Sequence, residues 1–194
     1  MEDDVHAGSG PLIVCGIAGS LRRDSYNRAL VRAARELAPG PMEVRIFDRV
    51  GDIPLFNQDV EAEGDPPAVQ ALKEAIREAD ALLIATPEYN HGVSGVLKNC
   101  IDWASRPPRD AALEGKPVAV FGASPGITGT ARAQTQLRES LSSIGALVLP
   151  QPQVLVYRAR EKFDEELELT HERTRERVGR LLGELAAWTR RLAG

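Results

Sequence analysis

Apolar and polar residues alternate along this chain in a pattern that predicts five strands, each followed by a helix. Residues 12–18 and 81–85 are apolar throughout, as in strands that are covered on both faces. Residues 42–47 alternate between polar and apolar, which is typical of a strand near the edge of a sheet. The other predicted strands are residues 116–122 and an interrupted pair, 146–149 and 154–156.

The segments between these strands carry apolar residues at helical spacing. They predict helices at residues 25–37, 66–79, 93–104, 128–144 and 163–192. The alternation predicts a single doubly wound α/β domain, with a parallel sheet and helices on both faces. The last helix is long and charged, and it either covers the sheet or extends to a second subunit. Residues 48–65 show no strong period and predict an ordered loop.

Candidate anion ligands occupy residues 19–27, where the first predicted strand joins its helix. Ser20 and Ser25 offer hydroxyl groups, and Arg22 and Arg23 offer positive charge. The N-terminus of the following helix directs free backbone N–H groups into the same space. The stretch therefore predicts a phosphate-binding loop. The alternative is an ordinary strand-to-helix turn, with Ser25 as its N-cap and solvated arginines.

Two more polar loops follow predicted strands. Residues 85–92, Ala-Thr-Pro-Glu-Tyr-Asn-His-Gly, follow the third strand, and Ser124, Pro125 and Gly126 follow the fourth. Ligands of doubly wound sheets bind outside the carboxyl ends of the strands, where the connections diverge. We therefore expect the three loops to converge on one ligand.

These motifs together resemble the flavodoxin-like NAD(P)H-dependent FMN reductase family, which includes quinone, azo-dye and chromate reductases. The resemblance spans residues 12–156 and is carried by Gly-Ser-Leu-Arg at 19–22, Pro-Glu-Tyr-Asn at 87–90 and Gly-Val-Leu-Lys-Asn at 95–99. It implies a flavodoxin-like five-stranded parallel sheet of order 2-1-3-4-5 and bound FMN. The cofactor-binding residues that it implies are Ser20, Leu21, Arg22, Arg23, Ser25, Tyr26, Asn27, Pro87, Glu88, Tyr89, Asn90 and Ser124.

The resemblance also implies an activity. FMN would accept hydride at N5 from NADH or NADPH and then reduce a quinone, an azo compound, chromate or a free flavin, in ping-pong exchange. Such chemistry needs no transformed side chain, so no catalytic residue is predicted, and Glu88 as a general base is the alternative. His91 is either solvated or in contact with substrate. The family's exposed flavin face implies a homodimer or homotetramer, with Arg132 and the Trp103 region as contact points.

Two other functions stay open at this point. One is a flavin reductase that releases reduced FMN to a monooxygenase, and the other is a flavodoxin-like carrier of single electrons. The chain has neither Gly-x-Gly-x-x-Gly after the first strand nor Gly-Lys-Ser/Thr, which argues against a dinucleotide fingerprint and a Walker loop. A receiver domain would place Asp where Thr86 ends the third strand. No ribose-reading residue identifies NADH or NADPH as the preferred donor.

Length and charge narrow the class of partner. The 194 residues predict one domain at residues 11–194, after a mobile terminus at residues 1–10. The formal charge of -4 argues against nucleic acid or an anionic membrane and favours a small-molecule electron acceptor. No apolar run approaches the ~20 residues that cross a bilayer, and the first residues are acidic, so we expect a cytoplasmic protein.

Cysteine and histidine usage predicts neither a disulfide framework nor a metal centre. Cys15 and Cys100 lie in predicted buried segments and are interpreted as apolar fillers. The three histidines share no metal-ligand spacing with one another or with the cysteines, so no metal is predicted.

Overall fold

A parallel sheet of order β2-β1-β3-β4-β5 forms the centre of the computed structural model, which describes residues 10–193. This order confirms the prediction. The sheet begins with the strands β1 (Leu12–Ala18), β2 (Met42–Phe47), β3 (Ala81–Ala85) and β4 (Pro117–Ala123). The predicted terminal segment at residues 1–10 lies, apart from Gly10, outside the described residues.

The predicted interrupted strand is present as two short strands, β5 (Leu147–Val148) and β6 (Val154–Val156). Both pair with β4, one with each half of it. Pro150 and Pro152 lie between them, and because proline has no backbone N–H it cannot continue the ladder.

Helices cover the two faces of the sheet, as predicted. The helices α1 (Tyr26–Glu36) and α6 (Glu172–Ala193) pack on one face. The other face is covered by α3 (Pro67–Glu78), α4 (Gly95–Ala104) and α5 (Ala131–Ser143). Alternate strand residues feed the two cores, since Val14 joins the first and Cys15 the second. The role of α6 as a covering helix is thereby confirmed.

Two predicted segments differ from the structure. The loop predicted at residues 48–65 contains a short helix, α2 (Gln58–Glu63), which Asn57 caps. None of its residues is buried, so the sequence has no apolar period there from which a helix could be predicted. The predicted helix at 163–192 is wrong before Glu172, because the Asp164 side chain accepts the N–H of Glu168 and closes a turn there.

The prediction of buried cysteines is confirmed. Cys15 and Cys100 are both buried and unpaired, and burial raises the pKa of each thiol to about 12. Trp103 is also fully buried, and its indole N–H donates to the carbonyl of Pro54 at 2.8 Å, so its side chain belongs to the core. A subunit contact in the region around Trp103 stays a prediction. No helix between residues 10 and 193 has the length and apolarity to span a membrane. The same residues contain no cluster of metal-ligating side chains.

Candidate functional site

The first loop joins β1 to α1 and is organised by two serines. Ser25 caps α1, because its Oγ accepts the backbone N–H groups of Asn27 and Arg28 at 3.2 and 3.4 Å. The N-cap role that the alternative interpretation gave to Ser25 is thus present, and the hydroxyl keeps its own hydrogen for donation to an anion. Phosphate binding by this loop stays a prediction. The buried Ser20 accepts the N–H of Arg22 at 3.4 Å and holds the turn closed.

Three exposed side chains project from this loop. Arg22 and Arg23 make no ion pair with any residue between 10 and 193, and Leu21 is 59% exposed. Unpaired guanidinium groups beside a helix N-terminus are a donor set that suits a phosphate dianion.

The second loop follows β3 and contains a tight turn. Tyr89 and Gly92 exchange two backbone hydrogen bonds, at 3.0 and 3.2 Å. The residues between them, Asn90 and His91, have φ values of 50° and 65°, the φ pattern of a type I′ turn. The turn leaves Tyr89 52% exposed, whereas Pro87 is buried.

The third loop runs from Ser124 at the end of β4 to Thr130 at the start of α5. Thr130 is completely buried and has φ of 70°, a rare backbone conformation for a β-branched residue. In this conformation its side chain makes no capping bond to α5. Between the two ends, Ile127 is 79% exposed.

Hydrogen bonds join the three loops in a closed circuit. The N–H of Gly19 donates to the carbonyl of Ala85 at 2.8 Å, and this bond joins the first loop to the second. The N–H of Thr86 donates to the carbonyl of Phe121 at 3.0 Å, and this bond joins the start of the second loop to β4, the strand that leads into the third loop. The buried Asn27 amide closes the circuit, because it donates to the carbonyl of Ala123 and accepts its N–H, both at 2.9 Å. The predicted convergence of the loops is therefore present.

Glu88 links the second loop to α5. Its side chain is 8% exposed, and Oε2 accepts the N–H groups of Arg132 and Ala133 at 3.0 and 3.2 Å. These are the first-turn donors that an N-cap side chain would normally accept. Glu88 thus supplies the cap that Thr130 does not provide. A carboxylate with this structural task is poorly placed to act as a general base.

The guanidinium group of Arg132 lies beside the second loop. The Arg132 guanidinium is 2.8 Å from Nδ1 of His91 and 4.0 Å from the Glu88 carboxylate. Because guanidinium can only donate, this contact is a hydrogen bond in which Nδ1 of His91 accepts. The rest of the His91 side chain is exposed to solvent.

Comparison with known proteins identifies the family. The profile of the family described as NADPH-dependent FMN reductase matches residues 13–161. An NAD(P)H-dependent FMN reductase of Pseudomonas aeruginosa is 47% identical over 194 residues, the whole of both chains. The chain belongs to the NADPH-dependent FMN reductase family. The relationship that the loop motifs indicated is thereby confirmed.

Other members of the FMN reductase family extend the comparison to quinone reductases and to a solved structure. A quinone reductase of Pseudomonas putida is 40% identical over 177 residues, which are 91% of this chain and 94% of the relative. The flavoenzyme NAD(P)H:(acceptor) oxidoreductase FerB of Paracoccus denitrificans superposes with a TM-score of 0.84 at 35% identity, and the match covers 92% of this chain and 97% of that one. The shared fold therefore extends well beyond the loop motifs.

Not every predicted FMN ligand of this family member presents its side chain freely. The Asn27 amide is engaged with β4, so a contact with phosphate would need its second N–H. The Tyr26 ring packs on Phe163, with ring centroids 5.2 Å apart. Ser124 is half-buried, and its Oγ accepts the N–H of Gly126 at 3.1 Å. Direct contact of the twelve predicted residues with FMN stays a prediction.

Two residues that hold the converging loops together, Ser94 and Gly122, were not predicted from the sequence. Ser94 donates from Oγ to the carbonyl of Gly19 at 2.6 Å, and its position just before α4 was the available signal. Gly122 lets β4 pass close to Thr86, because an added Cβ would lie 2.3 Å from that carbonyl oxygen. No local sequence signal marks such a close approach.

We expect Glu88→Ala to lower the free energy of unfolding by about 0.5–2 kcal/mol, since the start of α5 would lose its cap. Glu88→Gln keeps an acceptor oxygen and should lose less. Urea denaturation of both variants measures the difference. Equal stability of Glu88→Ala and the wild type would contradict the capping role.

Proposed function

We propose that this chain is an NAD(P)H-dependent FMN reductase that delivers electrons to a quinone. The observation that carries the proposal is the closed circuit of hydrogen bonds that brings three polar loops to one edge of the sheet. The names of the relatives support the choice of substrates, since they include an NAD(P)H-dependent FMN reductase and a 2-hydroxy-1,4-benzoquinone reductase.

The chemistry of the loops fits FMN. Ser20, Ser25, Arg22 and Arg23 provide hydroxyl and guanidinium donors for the phosphate at the start of α1. The turn at residues 87–90 offers backbone polar groups and the exposed Tyr89 ring for the flavin ring. Bound FMN supplies the hydride chemistry.

The protein's own contribution is to bind the FMN and to hold the loops around it in position. Glu88 fixes the second loop against α5, and Asn27 fixes the first loop against β4. Tyr89 and Ile127 are exposed in the second and third loops. In a ping-pong order, the nicotinamide and the acceptor would occupy the same place beside the flavin in turn.

We also propose that a second copy completes the site in a homodimer or homotetramer. Leu55, Tyr89 and Ile127 are 83%, 52% and 79% exposed, and a subunit interface that includes them would remove their apolar surface from water. Light scattering on the purified protein measures the oligomeric state, and a monomer at micromolar concentration would contradict this arrangement. A cytoplasmic location, where nicotinamide donors are available, stays a prediction.

Anaerobic titration tests the proposed activity. We expect NADH or NADPH to bleach the visible absorption of the FMN-loaded protein, and 1,4-benzoquinone to restore it. Failure of both donors to bleach the absorption would contradict the proposal. Slow one-electron reduction without turnover would instead indicate an electron carrier.

We expect Arg22→Ala to weaken FMN binding by about 1.5–3 kcal/mol, roughly ten- to hundredfold, because a charged hydrogen bond is lost. The side chain is exposed, so the fold should be retained. Fluorescence titration of the apoprotein with FMN measures the change. Arg190→Ala, at the exposed end of α6, is the control for charge, and equal affinity of the two variants would contradict the assignment.

A further inference from the structure

A cavity adjoins the first loop on the side away from β3. It has a volume of about 390 Å³ and lies between α1 and the segment that follows the edge strand β2. Ser20 and Leu21 form its boundary with the first loop. Its floor is apolar and is formed by Ala18, Val31, Ile46, Phe47 and Val50.

Three arginines of α1 line the rim of this cavity. Arg28, Arg32 and Arg35 follow at spacings of four and three residues, so they lie on one face of the helix. No carboxylate among residues 10–193 pairs with any of them, whereas the neighbouring Arg49 pairs with Asp52 at 3.1 Å.

This arrangement is electrostatically unfavourable in the free protein. Like charges three and four residues apart on a helix repel each other. Arg28 also lies in the first turn, where the helix dipole disfavours a cation. A bound anion would offset both effects, which gives the three arginines a reason to share one cavity.

A carboxylate completes the lining. Asp48 directly follows β2 and makes no ion pair within the described part of the chain. In doubly wound dinucleotide-binding sheets, an acidic residue that follows the phosphate loop hydrogen-bonds the ribose 2′-hydroxyl of NAD, or a nearby arginine accommodates the 2′-phosphate of NADP. Asp48 and Arg32 present the same pair of functional groups here, an analogy of position and chemistry.

We propose that this cavity binds an adenosine phosphate. Adenine packs on the apolar floor beside Phe47, the free 3′-hydroxyl of the ribose donates to Asp48, and the phosphate lies among Arg28, Arg32 and Arg35. The volume falls within the range of about 300–1,000 Å³ that is usual for ligand pockets. The same chemistry is available from the adenosine half of NADPH, which rests on the function proposed above, or from a free adenine nucleotide.

Calorimetric titration of the full-length protein with adenosine 2′,5′-bisphosphate tests the proposal. We expect saturable binding, and much weaker binding of adenosine, which has no phosphate. Arg32→Gln should weaken binding about tenfold or more, the loss expected for one charge-assisted hydrogen bond. Asp48→Asn should weaken it less, because asparagine keeps one acceptor oxygen.

Arg77→Gln is the matched control, since Arg77 lies on α3, which packs on the opposite face of the sheet from α1. It removes the same charge and should leave the affinity unchanged. Circular dichroism confirms that each variant is folded. Absence of saturable binding, or equal affinity of the wild type and Arg32→Gln, would overturn the proposal.

Steady-state kinetics distinguish the two sources of the ligand. If the site holds part of NADPH, Arg32→Gln raises the KM for NADPH more than the KM for NADH, and adenosine 2′,5′-bisphosphate competes with NADPH. If it holds a free nucleotide, the bisphosphate binds without competing. Bleaching of the FMN absorption by NADH, without any binding of the bisphosphate, overturns this inference alone and leaves the proposed function intact.

Discussion

Replacing Asn27 by alanine is expected to lower the free energy of unfolding by about 2–5 kcal/mol. The side chain makes two buried bonds to the N–H and C=O of Ala123, and both groups would remain in the interior without a partner. Each unsatisfied buried group costs about 1–3 kcal/mol. The substitution also separates the first loop from the third, so the affinity for FMN should fall even where the protein remains folded.

Urea denaturation and FMN titration of Asn27→Ala measure these two effects. Asn57→Ala is a suitable control, because it removes an asparagine that makes one exposed local bond, at 2.9 Å to the N–H of Asp59. The loss at Asn57 should be about 0.5–2 kcal/mol, that of an N-cap. A loss at Asn27 no larger than the loss at Asn57 would show that the bonds to β4 do not hold the loops together.

Gly122→Ala should disrupt the packing of β4 against the second loop. The new Cβ would lie 2.3 Å from the backbone oxygen of Thr86 and 2.3 Å from Oγ1 of Thr130. Neither neighbour has room to move, because the Thr86 N–H is bonded to Phe121 and Thr130 is fully buried. Overpacking of a core usually costs about 1–3 kcal/mol and occasionally more, and we expect at least the upper end of that range.

Gly95→Ala provides the comparison for Gly122→Ala, since a Cβ at Gly95 meets nothing within 4 Å and extends into solvent at the start of α4. Its stability should equal or slightly exceed that of the wild type. Thermal denaturation followed by circular dichroism compares the variants. If Gly122→Ala melts at the same temperature as the wild type, the close packing of β4 against the second loop is not required for stability.

The sequence predicts the site well where strand order alone decides position. Residues 19–25 and 87–90 each follow a fully apolar strand, and the carboxyl ends of parallel strands share one edge of the sheet. The two loops therefore had to meet once β1 and β3 were recognised as neighbours. The break in the last strand could also be predicted from the sequence, because Pro150 and Pro152 interrupt an apolar run.

The contacts that fix the loops could not be predicted in the same way. Asn27 and Ala123 are 96 residues apart in sequence, and the bonds from Glu88 to α5 span 44 and 45 residues. A polar side chain such as Asn27 or Glu88 can bind a ligand or make a hydrogen bond within the protein. Only the fold shows which of the two it does. The motif thus located the loops, but it could not separate FMN ligands from residues that position the loops.

The segments predicted wrongly have local causes. α2 buries no side chain, so it left no apolar period, and the cap at Asn57 was the one sequence signal of its start. Leu167 fits the spacing of α6, but its φ of 62° places it in a turn that Asp164 closes. Apolar spacing predicts which residues are buried more reliably than it predicts the backbone that carries them.

The most direct test of the converging loops is a titration of the apoprotein with FMN and, in parallel, with riboflavin. Our account predicts one FMN per chain and much weaker binding of riboflavin, because the donors of the first loop act only on the phosphate. Equal affinity for the two flavins, or no binding of either, would contradict the claim that the first loop holds the phosphate of a flavin whose ring lies on the second.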